Sequence, residues 1–407
     1  MSPAPVVVIG AGAAGLMAAL HAAAGVRPVI LLETTRDGGR KILISGGGRC
    51  NVLPSRFEPA DFFTDSSPNI LRNVLRSFPD RAQRRFFEGE LDLPLALEEE
   101  TGKLFPVSNR ARDVRDRLVA AVRARGGEIR FETRVTNLLG PGADDLWDVR
   151  LADAAALRAH AVILATGGLS VPATGSDGAG LRIVRALGHT VRDTYPALTP
   201  LTLDPPRFAE LAGVSLTVTL RAPLGRGALE TRGGFLFTHR GYSGPAVLNV
   251  SHAAVRARHA HAAQPIQVRW TDLDETAWSR ELTGAGELAP LLRRHLPTRL
   301  ADVLAREAGL EGERRLAQLK REERRRLLEL LVRFPLPHNG DEGYRKAEVT
   351  GGGVALEEID PRTMESRVCP RLFLCGEVLD AFGPIGGYNF AWAWATGRLA
   401  GLAAAAA

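Results

Sequence analysis

PVVVIGAGAAGLMAALHAAA, residues 5–24, decides the fold. Val6 to Ile9 is short, apolar and β-branched, as a strand buried on both faces requires. Gly10-Ala-Gly12-Ala-Ala-Gly15 follows at once, with Ala11 and Ala14 between the glycines, and then a helix-favouring run, Leu16 to Ala24. A second apolar run, Pro28 to Glu33, ends on an acid. Strand, glycine turn, helix and acid-ended strand together make the βαβ unit that holds a dinucleotide. Gly10 permits the turn, Gly12 lets a pyrophosphate approach the backbone, and Gly15 lets helix and strand pack closely. The helix amino terminus offers unpaired N–H groups and a positive partial charge to the phosphates. Glu33 lies 18 residues past Gly15, close to the spacing of about 20 at which a carboxylate takes the ribose hydroxyls.

A second glycine-rich stretch, GGRKILISGGGRCN at residues 38–51, selects FAD over NAD as the expected cofactor, bound non-covalently. Lys41 and Arg49 supply positive charge for phosphate or flavin, the Gly46–Gly47–Gly48 run can turn N–H groups toward a ligand, and Ser45 and Asn51 add orientable polar groups. At the other end of the chain, residues 371–399 read as a buried strand closing on Gly376-Glu377, then Asp380, then Gly386-Gly387 and a long apolar helix from Tyr388 or Asn389. Its first N–H groups, from Gly387 to Phe390, can stabilise negative charge on a reduced flavin. Trp392 and Trp394 read as core. Between these ends, residues 159–168 form another apolar strand closing on Thr166-Gly167-Gly168. Thr174 to Gly180 is glycine-rich but lacks a preceding buried strand and a following acid-ended one, so no second nucleotide fingerprint is present.

The chain's 407 residues exceed what one core usually organises. The net charge of +6 comes from a chain whose only lysines are Lys41, Lys103, Lys320 and Lys346, the other basic residues being scattered arginines. That distribution argues against a built nucleic-acid surface. Cys50, Cys369 and Cys375 are too few and too irregular for a disulfide framework or a metal site, and no stretch suits a bilayer span, so a cytoplasmic protein is expected.

GAGAAG at 10–15, GGRKILISGGGRCN at 38–51, LFTHRGYSGPAVLNVS at 236–251 and GEVLDAFGPIGGYNFAWAWATG at 376–397 resemble the BaiN-type (BaiN/RdsA-like) FAD-dependent, NAD(P)H-linked oxidoreductases along nearly the whole chain. The resemblance implies an α/β fold: a two-dinucleotide-binding, Rossmann-like FAD domain built from both chain ends, with a small β-barrel and a helical subdomain inserted. The expected divisions are 1–190 and 346–407 for the FAD domain, 191–270 for the β insert and 271–345 for the helical one. The same resemblance adds Cys50, Val135, Ala165, Thr166, Gly167, Glu377 and Gly386 to the FAD contacts expected above.

In the middle of the chain, Leu198–Leu203, Val214–Leu220 and Gly234–Thr238 are short and β-rich, and Ser243 is expected to cap a helix with Pro245 in its first turn. Glu311 to Arg326 reads as an amphipathic helix with a solvated basic face. His239 and Tyr242, with Tyr195 behind them, are the candidates for lining a substrate pocket. No Ser-His-Asp order, paired-carboxylate motif or metal-ligand spacing is present, so the flavin carries the chemistry. The expected activity is NAD(P)H-driven hydride transfer to a small organic acceptor such as a conjugated enone, the nicotinamide binding transiently. An amine oxidase using O₂ and a flavin-dependent RNA modification factor are the alternatives. Nothing in the sequence sets an oligomeric state.

Overall fold

The computed structural model describes residues 3–142, 144–225, 227–262, 265–310 and 313–407. They divide into two compact units, Met1–Thr194 with Val349–Ala407, and Tyr195–Glu348. The first unit is built on five parallel strands: β1 (Val6–Ile9), β2 (Val29–Leu32), β3 (Glu128–Arg130), β4 (Ala161–Leu164) and β5 (Leu372–Leu374). Their spatial order is β5-β4-β1-β2-β3. Val6 pairs with Ala161 on one side and Val29 on the other, and every residue of β1, β2 and β4 is buried. An uninterrupted apolar run is what a strand covered on both faces needs.

The covering helices are α1 (Ala13–Ala22), α2 (Arg40–Ile44), α3 (Ala111–Ala124) and α4 (Tyr388–Ala406). α1 and α4 meet through small residues: a Cβ on Gly397 would lie 2.4 Å from the Ala14 carbonyl oxygen, and one on Gly401 2.3 Å from that of Ala18. The two ends of the chain are thereby packed backbone to backbone. Trp392 and Trp394 are buried core residues, as expected, and their indole N–H groups donate to the carbonyls of Gly376 and Val52 at 3.1 Å.

The second unit holds a seven-stranded antiparallel sheet, whose longest strands are Ser215–Leu224 and Gly227–Thr238, and, among the described residues, five α-helices between Pro245 and Val332. The expectation set a boundary at residue 270, but sheet and helices share one hydrophobic core there. Trp270 packs against Phe235, Phe237 and Phe334 while its indole donates to Leu330 O at 3.1 Å. Ser243 does not cap the following helix. It ends the strand Gly241–Ser243, and Gly244 is the cap because a Cβ there would meet Gly234 O at 2.6 Å. Glu311 and Gly312 lie outside the described residues; beyond them, Arg321–Val332 is an amphipathic helix that buries Leu327 and Leu331 and pairs Arg325 with Glu322 on its exposed face. No helix among the described residues is long and apolar enough to cross a membrane, and no described cluster of His, Cys, Asp and Glu could hold a metal.

His21 on α1 is buried with no partner for Nε2, and burial, with the charges of Arg398 and Arg125, lowers its pKa to about 4. The unfolded chain takes that proton near 6.5, so stability is complete above this pH and declines as pH falls toward 4. The loss is roughly 3 kcal/mol. Urea midpoints measured between pH 7 and 4 are expected to fall less steeply in His21→Leu than in the parent; equal slopes would refute this assignment.

Candidate functional site

The carboxyl edge of the parallel sheet gathers three turns. The N–H of Gly10 donates to Leu32 O at 2.8 Å, that of Ala165 to Ile9 O at 2.9 Å, and that of Cys375 to Leu164 O at 3.1 Å. Gly10, at φ 99°, is wedged so that a Cβ would lie 2.6 Å from Ala165 O, and a Cβ on Gly15 would lie 1.8 Å from Gly10 O. Gly12 is different: nothing lies within 4 Å of where its Cβ would be, and the same holds at Gly47. The turn is therefore tight beneath and open above, the shape a pyrophosphate needs over a helix amino terminus.

Glu33 anchors the turn from β2. Its Oε2 accepts the Ala11 N–H at 2.7 Å, and its Oε1 accepts the Thr35 N–H at 2.8 Å and hydroxyl at 2.7 Å. Oε2, with one donor, keeps capacity for a ribose hydroxyl. Val135 is buried two residues beyond Thr133, whose N–H donates to Glu33 O at 2.8 Å. Thr166 follows β4 with its buried hydroxyl oxygen unpartnered, and Gly167, at φ 72°, turns against Ser176.

Lys41 is held rather than free. Its Nζ donates to Glu377 Oε2 and Ser170 Oγ, each at 2.5 Å, while Glu377 Oε1 accepts from Ser170 Oγ at 2.5 Å and from Thr350 N and Oγ1 at 3.0 and 2.8 Å. Four remote segments meet in this knot, and Gly168 beneath it has no room for a Cβ, which would lie 2.4 Å from Thr350 Oγ1. Arg49 is likewise engaged, with Glu98 at 3.0 Å and over the Phe105 ring at 4.0 Å. The 38–51 stretch is no open loop: it forms α2 and a tight turn, in which Ser45 Oγ donates to Ile42 O at 2.8 Å. Gly46 lies against Asn51 and Phe105, and Cys50 is buried, which pushes its thiol up to about 12.

Asp380 is buried, and burial raises its pKa. Its Oδ2 accepts from Ser66 Oγ at 2.7 Å and from the Asp65 N–H at 3.1 Å, with Arg192 Nε at 3.2 Å. Gly386 and Gly387, at φ 110° and 96°, lead into α4, whose first turn carries no acidic residue and no side-chain cap. Asn389 is spent on its own loop, accepting from Gly383 N at 2.9 Å and donating to Gly383 O at 3.0 Å. Tyr388 packs edge-on to Phe62, and Phe390 stacks on Trp394.

Against this geometry, the family model for the HI0933-like protein Rossmann domain matches residues 4–403. The chain belongs to that family. As an HI0933-like protein it is 34% identical over 398 residues to the ribosomal RNA dihydrouridine synthase of Escherichia coli K12, covering 96% of this chain and 95% of the relative. It is 32% identical over 408 residues to the 3-dehydro-bile acid delta(4,6)-reductase of Clostridium scindens, covering 98% of each. The 3-ketosteroid-delta4-(5alpha)-dehydrogenase of Rhodococcus jostii RHA1 shares the fold at a TM-score of 0.52 and 16% identity, over 99% of this chain and 97% of that one. This HI0933-like protein is an FAD-dependent oxidoreductase, and its open glycine turn, Glu33 and the bare start of α4 fit that cofactor.

His239 and Tyr242 do not form a pocket together. His239 is exposed in a hairpin turn, whereas Tyr242 is a core residue packed on Phe235 and Phe237, and Tyr195 is buried too, with Arg256 5.7 Å from its ring. A Ser–His–acid chain does form away from the sheet edge: His189 Nδ1 meets Glu358 Oε2 at 2.8 Å and Nε2 meets Ser366 Oγ at 2.9 Å. The His189 side chain is fully buried, and Ser366 Oγ accepts the Val368 and Cys369 N–H groups, so this chain is a structural link. Ser170 and Thr350 are the site residues that the sequence reading missed.

Gly12→Ala and Gly15→Ala separate the two faces of the turn. Gly12→Ala is expected to leave thermal stability of the apoprotein unchanged and to weaken FAD binding at least about tenfold, a loss of about 1.4 kcal/mol. Gly15→Ala is expected to lower the melting temperature itself, because the new Cβ meets backbone. Fluorescence titration with FAD and calorimetry check both.

Proposed function

We propose that this flavoenzyme reduces a carbon–carbon double bond conjugated to a carbonyl, using NADH or NADPH as donor. The observation that carries the reading is the bare amino terminus of α4, with two left-handed glycines before it and no acid in its first turn. Such an end favours negative charge, which a two-electron reduction creates. Bound FAD supplies hydride transfer through N5. The chain's own groups bind and orient: Gly12 and Gly47 leave room for the cofactor, Glu33 takes the ribose, and Lys41 is fixed by Glu377, Ser170 and Thr350. In the net reaction a hydride reaches the β-carbon and a proton the α-carbon, while NAD(P)H becomes NAD(P)⁺. The names of both kinds of relative describe that bond chemistry, since a bile-acid enone and the uracil ring each present an alkene conjugated to a carbonyl.

A small enone is the first reading of the acceptor. Uridine in RNA is the second: although the arginines are scattered along the sequence, residues 195–348 hold 23 Lys and Arg against 18 Asp and Glu, most of the chain's net charge. Several of those arginines are paired on the surface, as Arg333 is with Glu329 and Glu275, which lowers their availability to phosphate.

Anaerobic mixing tests the reading. NADH or NADPH is expected to bleach the flavin, and a conjugated enone, or a uridine-containing RNA under the second reading, to restore its colour. A flavin that no nicotinamide reduces but a primary amine does would overturn the proposal in favour of an amine oxidase.

A further inference from the structure

Lys103 begins the strand Lys103–Pro106, in a three-stranded antiparallel sheet with Leu53–Pro54 and Leu95–Glu98. Its side chain runs along the start of α4: a Cβ on Gly386 would lie 3.3 Å from Lys103 Cε and 3.8 Å from Cγ. At the next residue, a Cβ on Gly387 would lie 2.9 Å from the nitrogen of Pro54, the register partner of Lys103. Backbone packing thus holds the lysine stem against the helix start.

The other cations of this region are neutralised. Lys41 is paired with Glu377 and Arg49 with Glu98. Glu98 is also the register partner of Lys103, yet its carboxylate is taken by Arg49 at 3.0 Å and by the Thr101 hydroxyl at 2.6 Å. Asp61, whose charge reaches Tyr388, accepts the Glu58 N–H at 2.7 Å. No carboxylate among the described residues forms an ion pair with Lys103. Lys103, half-buried and in direct contact with no described carboxylate, stands beside an uncapped helix amino terminus, so two positive features lie together with only the more distant charges of Glu98 and Asp61 near them. Both features favour an anion placed beside them.

We propose that Lys103 is the cation that, with the first N–H groups of α4, stabilises the negative charge on the pyrimidine ring of reduced FAD. Two-electron reduction of the bound ring with uptake of one proton leaves that ring anionic, and a fixed ammonium beside it raises the reduction potential. Lysine suits the position because its compact charge does not fork onto the neighbouring Glu98 carboxylate as a guanidinium would. The proposal rests on FAD binding and not on which acceptor or donor the enzyme uses.

Sulfite affinity and the midpoint potential of the purified holoprotein test it, and neither uses NAD(P)H or an acceptor. Sulfite adds to flavin N5 through its sulfur lone pair and leaves the ring anionic, so it reports the same charge stabilisation. In Lys103→Met the sulfite Kd is expected to rise about tenfold and the potential to fall by about 30 mV, the two-electron equivalent of that factor. Flavin content and melting temperature should stay at parental values. Lys103→Arg, which keeps the charge, is expected to lie closer to the parent in both readouts. Lys103→Gln, which keeps polarity and most of the length, must behave as Lys103→Met does, and it serves if the methionine variant fails to retain FAD. Parental sulfite affinity and potential in a flavin-loaded Lys103→Gln or Lys103→Met would overturn the proposal. So would a change confined to the KM of a carboxylate-bearing acceptor, which would assign Lys103 to substrate instead.

Discussion

The structure of the first unit depends on one close approach, the carbonyl of Gly10 lying where α1 and β4 leave no space for a side chain. Gly15 rests on that carbonyl, Ala165 closes on Gly10 from the neighbouring strand, and the Ala11 N–H is turned outward to Glu33. A contact this tight aims the amino terminus of α1 over the carboxyl edge of the sheet. The helix dipole and the open face of Gly12 then face the same volume, which is what a dinucleotide phosphate requires.

The far end of the chain is brought to that edge by packing that is equally intolerant of side chains. Gly397 and Gly401 let α4 lie on α1, and Trp392 and Trp394 hydrogen-bond the backbone at Gly376 and Val52. The first turn of α4 is therefore fixed by its own buried length. The knot of Lys41, Ser170, Thr350 and Glu377 ties together the segments that the helices deliver. A lysine and a glutamate that look available for a ligand in sequence are committed to each other in the fold, and their role is to hold the edge in shape.

What was legible in the sequence were the parts set by local pattern. β1, the Gly10–Gly15 turn, α1 and β2 follow from apolar runs and glycine spacing, and α4 from its length and apolarity. Ser170 and Thr350 were not legible, because Glu377 meets them across 207 and 27 residues of chain and neither lies in a motif. Tyr242 follows a glycine at a strand edge, a pattern that does not distinguish a pocket residue from a core one; only the ring contacts with Phe235 and Phe237 decide it. The cap at Gly244 and the shared core around Trp270 likewise depend on close approaches between distant segments.

In the proposed reading, both chain ends grip one FAD at the carboxyl edge of a single parallel sheet. Hydrogen–deuterium exchange of the deflavinated protein, with and without added FAD, tests it most directly. FAD is expected to slow exchange together in peptides covering residues 10–15, 38–51 and 376–390. Slowing confined to the amino-terminal peptides, with 376–390 unchanged, would contradict it.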